Sequence, residues 1–350
     1  MKHTRYLLLF ALAVLLLGGL GWLVLPPRDP LFHGKRESEW ITNIVYGMHL
    51  SEEQNREQGQ RWRDFGREGL RVLERGLAKA PRARAYRMFH RQLEPKLPRA
   101  LVRLLPAPRM DTQSGTRMCV LDLLWRMGKD ARSAWPAVAR ALEDEDPGVR
   151  GMAIVFFTHP EDDTAFLNQM PAVDKRKLLP LFIRALEDTG ANWYWSLRNN
   201  AALALKYYPE QAPRVAPPLA KALHDPVPYV RLTSAEALNR VDPDAAKQAG
   251  AMTVMIKLLQ DPDDQVASRA ASVLRQFQQD ADAAVVALIE TLHGTNISVG
   301  CNAVWALEWA FPKHADKIIP ELRKATERED NVGSCARVAL EHLESKTVTR

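Results

Sequence analysis

The sequence predicts an all-α protein in which one transmembrane helix precedes a solenoid of stacked helix pairs. Three observations predict it. A turn signature recurs at near-constant spacing, each copy carries helical rather than strand periodicity, and residues 6–25 form a long uncharged apolar run. The turn signature is plainest between Asp225 and Leu274. Asp225-Pro226-Val227-Pro228-Tyr229-Val230-Arg231 is followed by Ser234, Ala235, Ala237 and Leu238. Asp261-Pro262-Asp263-Asp264-Gln265-Val266 is followed by Ala270, Ala271, Val273 and Leu274. A repeat of that length whose copies are helical marks stacked supersecondary units, each burying its apolar edge on its neighbours.

At the amino end, Tyr6 to Leu25 is 20 residues without a charge, preceded by Lys2 and Arg5. That length crosses a bilayer core as a helix. Residues 1–25 are therefore expected to be a single-pass signal-anchor. Gly19-Leu20-Gly21 is a poor cleavage exit, so a protein secreted after signal cleavage is the alternative. Lys2 and Arg5 favour a cytoplasmic amino end, while Arg28, Lys35 and Arg36 pull the other way. A short charged leader before a long domain gives an extracytoplasmic, periplasmic solenoid as the expected arrangement. Pro26-Pro27-Arg28-Asp29-Pro30 stops the helix. Residues 26–60 then read as a juxtamembrane linker, with a short amphipathic helix around Trp40 and Ile41 and an exposed polar connection from Ser51 to Gln60.

Residues 61–97 read as a divergent capping unit, as end repeats of solenoids are often atypical. Trp62, Phe65, Leu70, Val72, Leu73 and Leu77 supply its apolar positions. It lies inside a basic block: Arg56 to Arg109 holds fifteen Lys/Arg against five acids, in a chain of net charge +6. Such a block suits anionic lipid, nucleic acid or an acidic partner.

Regular units fill residues 98–345, before a tail at 346–350. Their anchors are Thr116, Val149, Leu197, Val230, Val266, Val299 and Val332, spaced 33, 48, 33, 36, 33 and 33 residues apart. Four, seven and eight residues after each anchor stand small or apolar residues, such as Val120, Leu123 and Leu124, or Ala201, Ala204 and Leu205. Those offsets line one helix face. A first helix precedes each anchor, for example Leu178 to Leu186 or Val215 to Leu223, and several carry a proline placed near the helix front (Pro136, Pro180, Pro217, Pro218, Pro320). Cys119, Cys301 and Cys335 fall two or three residues after an anchor and read as small, half-buried residues. They are too few and too scattered for a disulfide framework or a zinc site.

The Asp-Pro-x-x-x-Val-Arg turn and its Ala-rich helix resemble HEAT repeats, in particular the short bacterial type found in phycobilisome lyase proteins. The resemblance implies a right-handed α-solenoid of HEAT-like helical hairpins, an armadillo-type superhelix. It also implies that Asp144, Arg150, Asp225 and Arg231 form a structural ladder between units, and that the second helices line a concave face. Later copies lose the arginine (Ala267, Gly300, Gly333).

Two places could bind a partner. The interval of 48 lengthens one turn with Trp193, Tyr194 and Trp195, and enlarged surface loops carry function more often than scaffold does; folding back over a gap is the structural alternative. On the second helices, Trp125, Tyr207, Arg240, Arg275, Trp305 and Trp309 miss the buried stripe, and Trp305 and Trp309 share a face. The expected function is a non-enzymatic, membrane-tethered scaffold for a protein or peptide. No nucleophile elbow, HExxH, phosphate loop or ligand cluster occurs, so no catalytic residue, metal or cofactor is expected. Base-excision glycosylases that resemble HEAT-like arrays open a nucleic-acid reading, motivated by the basic block with Trp193 and Trp195 and opposed by the anchor. A bilin lyase reading follows from the repeat subtype alone.

Overall fold

The computed structural model describes residues 30–77, 112–158, 160–161, 164–188, 197–277, 281–310 and 314–348. The expected membrane segment, residues 78–109 of the basic block, and Trp193, Tyr194 and Trp195 lie outside them. Among the described residues no helix is long and apolar enough to cross a membrane. The chain divides into two units, Met1–Glu161 and Asp162–Arg350.

In the first unit, β1 (Leu31–Phe32) and β2 (Lys35–Arg36) form an antiparallel hairpin pairing Leu31 with Arg36 and Phe32 with Lys35. His33 and Gly34 have φ of 45° and 80°. Two successive positive values define the tight turn that matches strand twist, and glycine carries the second without strain. The hairpin is the first departure from an all-α chain, together with two more two-residue strands, β3 (Pro160–Glu161) and β4 (Thr164–Ala165). Helix α1 (Glu37–Thr42) buries Ile41, and the Trp40 indole donates to the Phe32 carbonyl at 2.7 Å. Phe32, Trp40, Trp62 and Phe65 pack edge-on or stacked at centroid distances of 4.9–6.5 Å.

The polar run expected to be an exposed connection is instead α2 (Glu52–Asp64). Its helicity comes from its ends and its polar side chains. Ser51 and Gln54 form a reciprocal capping box, satisfying two amides that the first helical turn leaves open. Gln58 bonds the Val45 backbone at both N–H and carbonyl, and Asn55 donates to the Gly47 carbonyl. Helices α3 (Gly66–Leu77), α4 (Thr112–Met127), α5 (Trp135–Ala141) and α6 (Pro147–Thr158) complete the unit, with a 3-10 segment at Gly128–Ala134. The expected stripes are inside: Val120, Leu123 and Leu124 on α4, and Ala153, Phe156 and Phe157 on α6.

The second unit opens with β4 and α7 (Phe166–Gln169), then alternates first helices α8 (Ala172–Leu186) and α10 (Ala212–Ala222) with second helices α9 (Leu197–Leu205) and α11 (Pro228–Val241). A short extra helix follows, α12 (Pro243–Gln248), capped by the Asp242 carboxylate on the Ala245 amide. It lies within the interval of 36 between Val230 and Val266, where the spacing is three residues longer than its neighbours. The pairs α13 (Ala251–Leu258) with α14 (Asp264–Leu274), α15 (Ala281–Leu292) with α16 (Ile297–Ala310), and α17 (Ala315–Ala325) with α18 (Asn331–Val348) complete it. Pro180, Pro217, Pro218 and Pro320 lie inside their helices rather than near the front. The helices start before their apolar stripes, as at Ala172, where Asp174 in the first turn complements the helix dipole.

The joints between pairs carry the ladder. In the first unit Arg117 pairs with Asp144 at 2.9 Å, and Arg150 donates to the Asp144 and Glu145 carbonyls. In the second, Arg198 holds both Asp225 oxygens at 2.7 and 3.1 Å and the Asp188 carbonyl at 3.0 Å. Arg231 bonds the Asp225 and Pro226 carbonyls and lies 3.9 Å from Asp261. Arg150, Arg198 and Arg231 thus each grip the turn backbone before their own helix, while Arg117, Arg198 and Arg231 reach the acid of the next unit.

Candidate binding face on the second helices

The second helices of the second unit pack more closely on one another than its first helices do, and together they form one layer of that unit. Residues six and ten past each anchor, and those three past it except the buried Thr233, fall outside the main buried stripe of that layer. The last row reads Tyr207, Arg240, Gln276, Trp309 and His342, of which Tyr207 is half-buried and the others are exposed. The middle row reads Leu203, Glu236, Ser272, Trp305 and Val338, and the first includes Asn200, Arg269 and Asn302.

Repeat geometry brings two predicted residues together. The Arg240 guanidinium lies 5.8 Å from the Tyr207 ring centre and the Lys206 ammonium 5.4 Å from it. A cation over an aromatic face is attracted by the ring quadrupole. Burial pushes the Tyr207 phenol above its ordinary value, so the hydroxyl is neutral throughout the physiological range. Glu236 sits between Lys206 at 3.5 Å and Arg269 at 3.6 Å, which ties three successive second helices.

Two pairs further on, the face turns aromatic. Trp305 is 37% exposed and Trp309 65%, an unusual amount of open indole surface on neighbouring turns of one helix. Beside them Glu308 is buried. One of its oxygens accepts from, or pairs with, His342 Nδ1 at 3.0 Å, and the other is buried without a hydrogen-bond partner among the described residues. An unsatisfied buried carboxylate oxygen is costly. Arg275 is exposed at the end of α14, one position off the row that holds Arg240. Trp125 is half-buried on α4 in the first unit. Sequence reading missed Glu308, since a glutamate nine residues past an anchor reads as a solvated surface charge. At the same offset Asn239 is also buried and donates to the Gln276 carbonyl, while Arg275 is exposed, so the offset alone does not mark the position.

Among the described residues no three His, Cys, Asp or Glu side chains cluster as a metal site. His293 is engaged with Glu321 at 3.0 Å.

Stacked helix pairs joined by an arginine–aspartate ladder define an all-helical repeat solenoid of the armadillo/HEAT kind. A family model for subunit 1 of the non-SMC mitotic condensation complex matches residues 196–303, less than half of the chain. Among solved structures, that of Kap121p bound to Pho4p is similar over 88% of this chain and 33% of the other, with TM-score 0.51 and 13% identity. The chain thus spans about a third of that structure's length. A designed armadillo repeat protein, YIII(Dq)4CqI, matches over 60% of this chain and 99% of its own, at 20% identity and TM-score 0.43. Importin beta matches over 82% and 42%, at 14% identity and TM-score 0.42. No curated protein matches.

Proposed function

We propose that this protein is a non-catalytic scaffold, tethered to a membrane through residues 6–25, that binds a protein or peptide along the second-helix face of its carboxy-terminal unit. The observation that carries the reading is the pair of exposed indoles, Trp305 and Trp309, in line with Tyr207 and Arg240 on one face. Tryptophan, tyrosine and arginine dominate binding hot spots because each gives large contact area or several directed donors at small entropic cost. Kap121p, a structural neighbour, is solved bound to Pho4p. That is in keeping with a protein ligand and supports nothing narrower. The apolar run supports a single-pass anchor, and the short charged leader before a long domain supports a solenoid on the periplasmic side. Trp193, Tyr194 and Trp195 are kept as a second contact region on their composition alone.

The test is proximity labelling with the full-length chain against a Trp305→Ala/Trp309→Ala form. Trp309 is 65% exposed and Trp305 37%, so the double variant is expected to remain folded and to lose its most strongly labelled partners. An unchanged partner set would remove the face from the reading. A reporter fused after Arg350 that works only in the cytoplasm tests the orientation, with an inactive fusion expected.

A further inference from the structure

We propose that Cys301 and Cys335 are a disulfide-forming pair that locks the last two second helices, α16 and α18, to each other. Cys301 stands two residues past the anchor Val299, and Cys335 three past Val332, 34 residues apart. The same two offsets, also 34 residues apart, are occupied on α9 and α11 by Asn199 and Thr233, and there the Thr233 hydroxyl donates to Asn199 Oδ1 at 2.7 Å. The repeat therefore puts these two positions of neighbouring second helices within hydrogen-bonding range of each other. On α16 and α18 the groups so placed are both thiols, near enough that the Cys335 thiol raises the Cys301 pKa.

The backbones are close at this point for an identifiable reason. A Cβ at Gly300 would lie 2.7 Å from Cγ2 of Val332, so the glycine beside Cys301 is what lets α18 approach. Both thiols are half-buried. Burial, reinforced by the Cys335 thiol, pushes Cys301 up to about 11. Little of it is thiolate at neutral pH, so attack on an oxidant is slow and adventitious alkylation is disfavoured. The oxidant required is a disulfide reagent, the class found in oxidising compartments, and exchange with it is slow at neutral pH for the same reason.

The chemistry balances with such a reagent. One cysteine, as thiolate, attacks a sulfur of the oxidant's disulfide, forming a mixed disulfide and expelling the oxidant's other sulfur as thiolate. The second cysteine then gives up its proton and attacks the protein-side sulfur, forming the Cys301–Cys335 bond and expelling the second thiolate. The protein loses two protons and two electrons, and the oxidant's disulfide becomes two thiols.

The experiment uses the full-length chain, fully reduced and then incubated with oxidised glutathione, in wild-type, Cys119→Ser, Cys301→Ser and Cys335→Ser forms. Intact mass and non-reducing peptide mapping are read. The expected result is loss of two hydrogens with a peptide linking Cys301 to Cys335 in monomeric wild-type and Cys119→Ser protein, absent from the other two variants. The oxidised wild type is also expected to unfold at higher denaturant than the same sample after reduction. Separate glutathione adducts on Cys301 and Cys335, a link to Cys119, or links only between copies of the chain would each overturn the proposal. This test is independent of the binding reading, since neither thiol is among the aromatic and arginine residues on which that rests.

Discussion

Arg198 and Arg328 close the same kind of joint from opposite sides. Arg198 starts α9 and reaches forward to Asp225 in the next turn, in a pair whose side chains are only 7% and 10% exposed. Arg328 lies in the turn after α17 and reaches back, donating to the Leu292 and Gly294 carbonyls of the preceding turn while it clamps Asp330 in its own; those two side chains are 24% and 27% exposed. The position equivalent to Arg198 on α16 is Gly300, which the close approach of Val332 requires. The later joint thus has no room for a forward-reaching arginine, and the guanidinium is supplied from the following turn. What the fold retains is a planar, many-donor cation across turn carbonyls and an Asp; its address in the repeat is free to change.

The largest expected effect tests the buried version. Arg198→Met leaves Asp225 buried opposite no charge, and breaking a buried pair from one side costs about 3–5 kcal/mol. Denaturant unfolding measures it, and a loss below ~1 kcal/mol would mean that the forward pair is no stronger than a surface one. Next in size is Gly300→Ala, where the new methyl must push Val332 aside. Overpacking of this kind costs about 1–3 kcal/mol, and a neutral result would break the steric explanation for the missing arginine. Arg328→Ala should cost less than Arg198→Met, about 1–2 kcal/mol, since its charge-assisted bonds are partly screened by solvent.

The second joint also has a pH signature. The Arg328 hydrogen bond lowers Asp330 below its ordinary 3.8, with backbone bonds from Val332 and Gly333 acting the same way. A depressed carboxylate contributes stability above its unfolded pKa and loses it as pH falls through the folded value. The stability difference between wild type and Asp330→Asn is thus expected to be constant from neutral pH down to about 5, and to shrink only below that. A difference that faded near pH ~6 would point to a histidine instead.

The helix pairs were legible in the sequence because the repeat states the same stripe many times. Ala201, Ala204 and Leu205, then Ala303, Ala306 and Leu307, are buried where the offsets put them. The Tyr207–Arg240 contact was legible for the same reason, since both stand ten residues past an anchor. Glu308 was not, because burial of a carboxylate depends on His342 one repeat away, and no local pattern marks it. Nor was the Cys301–Cys335 contact, which needs the offset rule in three dimensions. Helix α2 was missed on other grounds: of its thirteen residues only Gly59 and Trp62 are buried, so apolar periodicity has almost nothing to report.

That helix supplies the smallest test, of whether a segment without a ladder is held by its ends. Ser51 accepts from the Gln54 amide at 3.2 Å, and Gln54 Oε1 accepts from the Ser51 amide at 3.0 Å. Removing an N-cap hydroxyl costs about 1 kcal/mol in typical cases. Ser51→Ala is expected at or just below that figure, because the site is exposed and water can replace the bond. The informative comparison is hydrogen exchange in α2, where the amides of the first turn should lose protection while those around Trp62, which is packed on Phe32 and Phe65, keep theirs. Equal loss along the whole helix would mean that the cap nucleates α2 rather than merely finishing it.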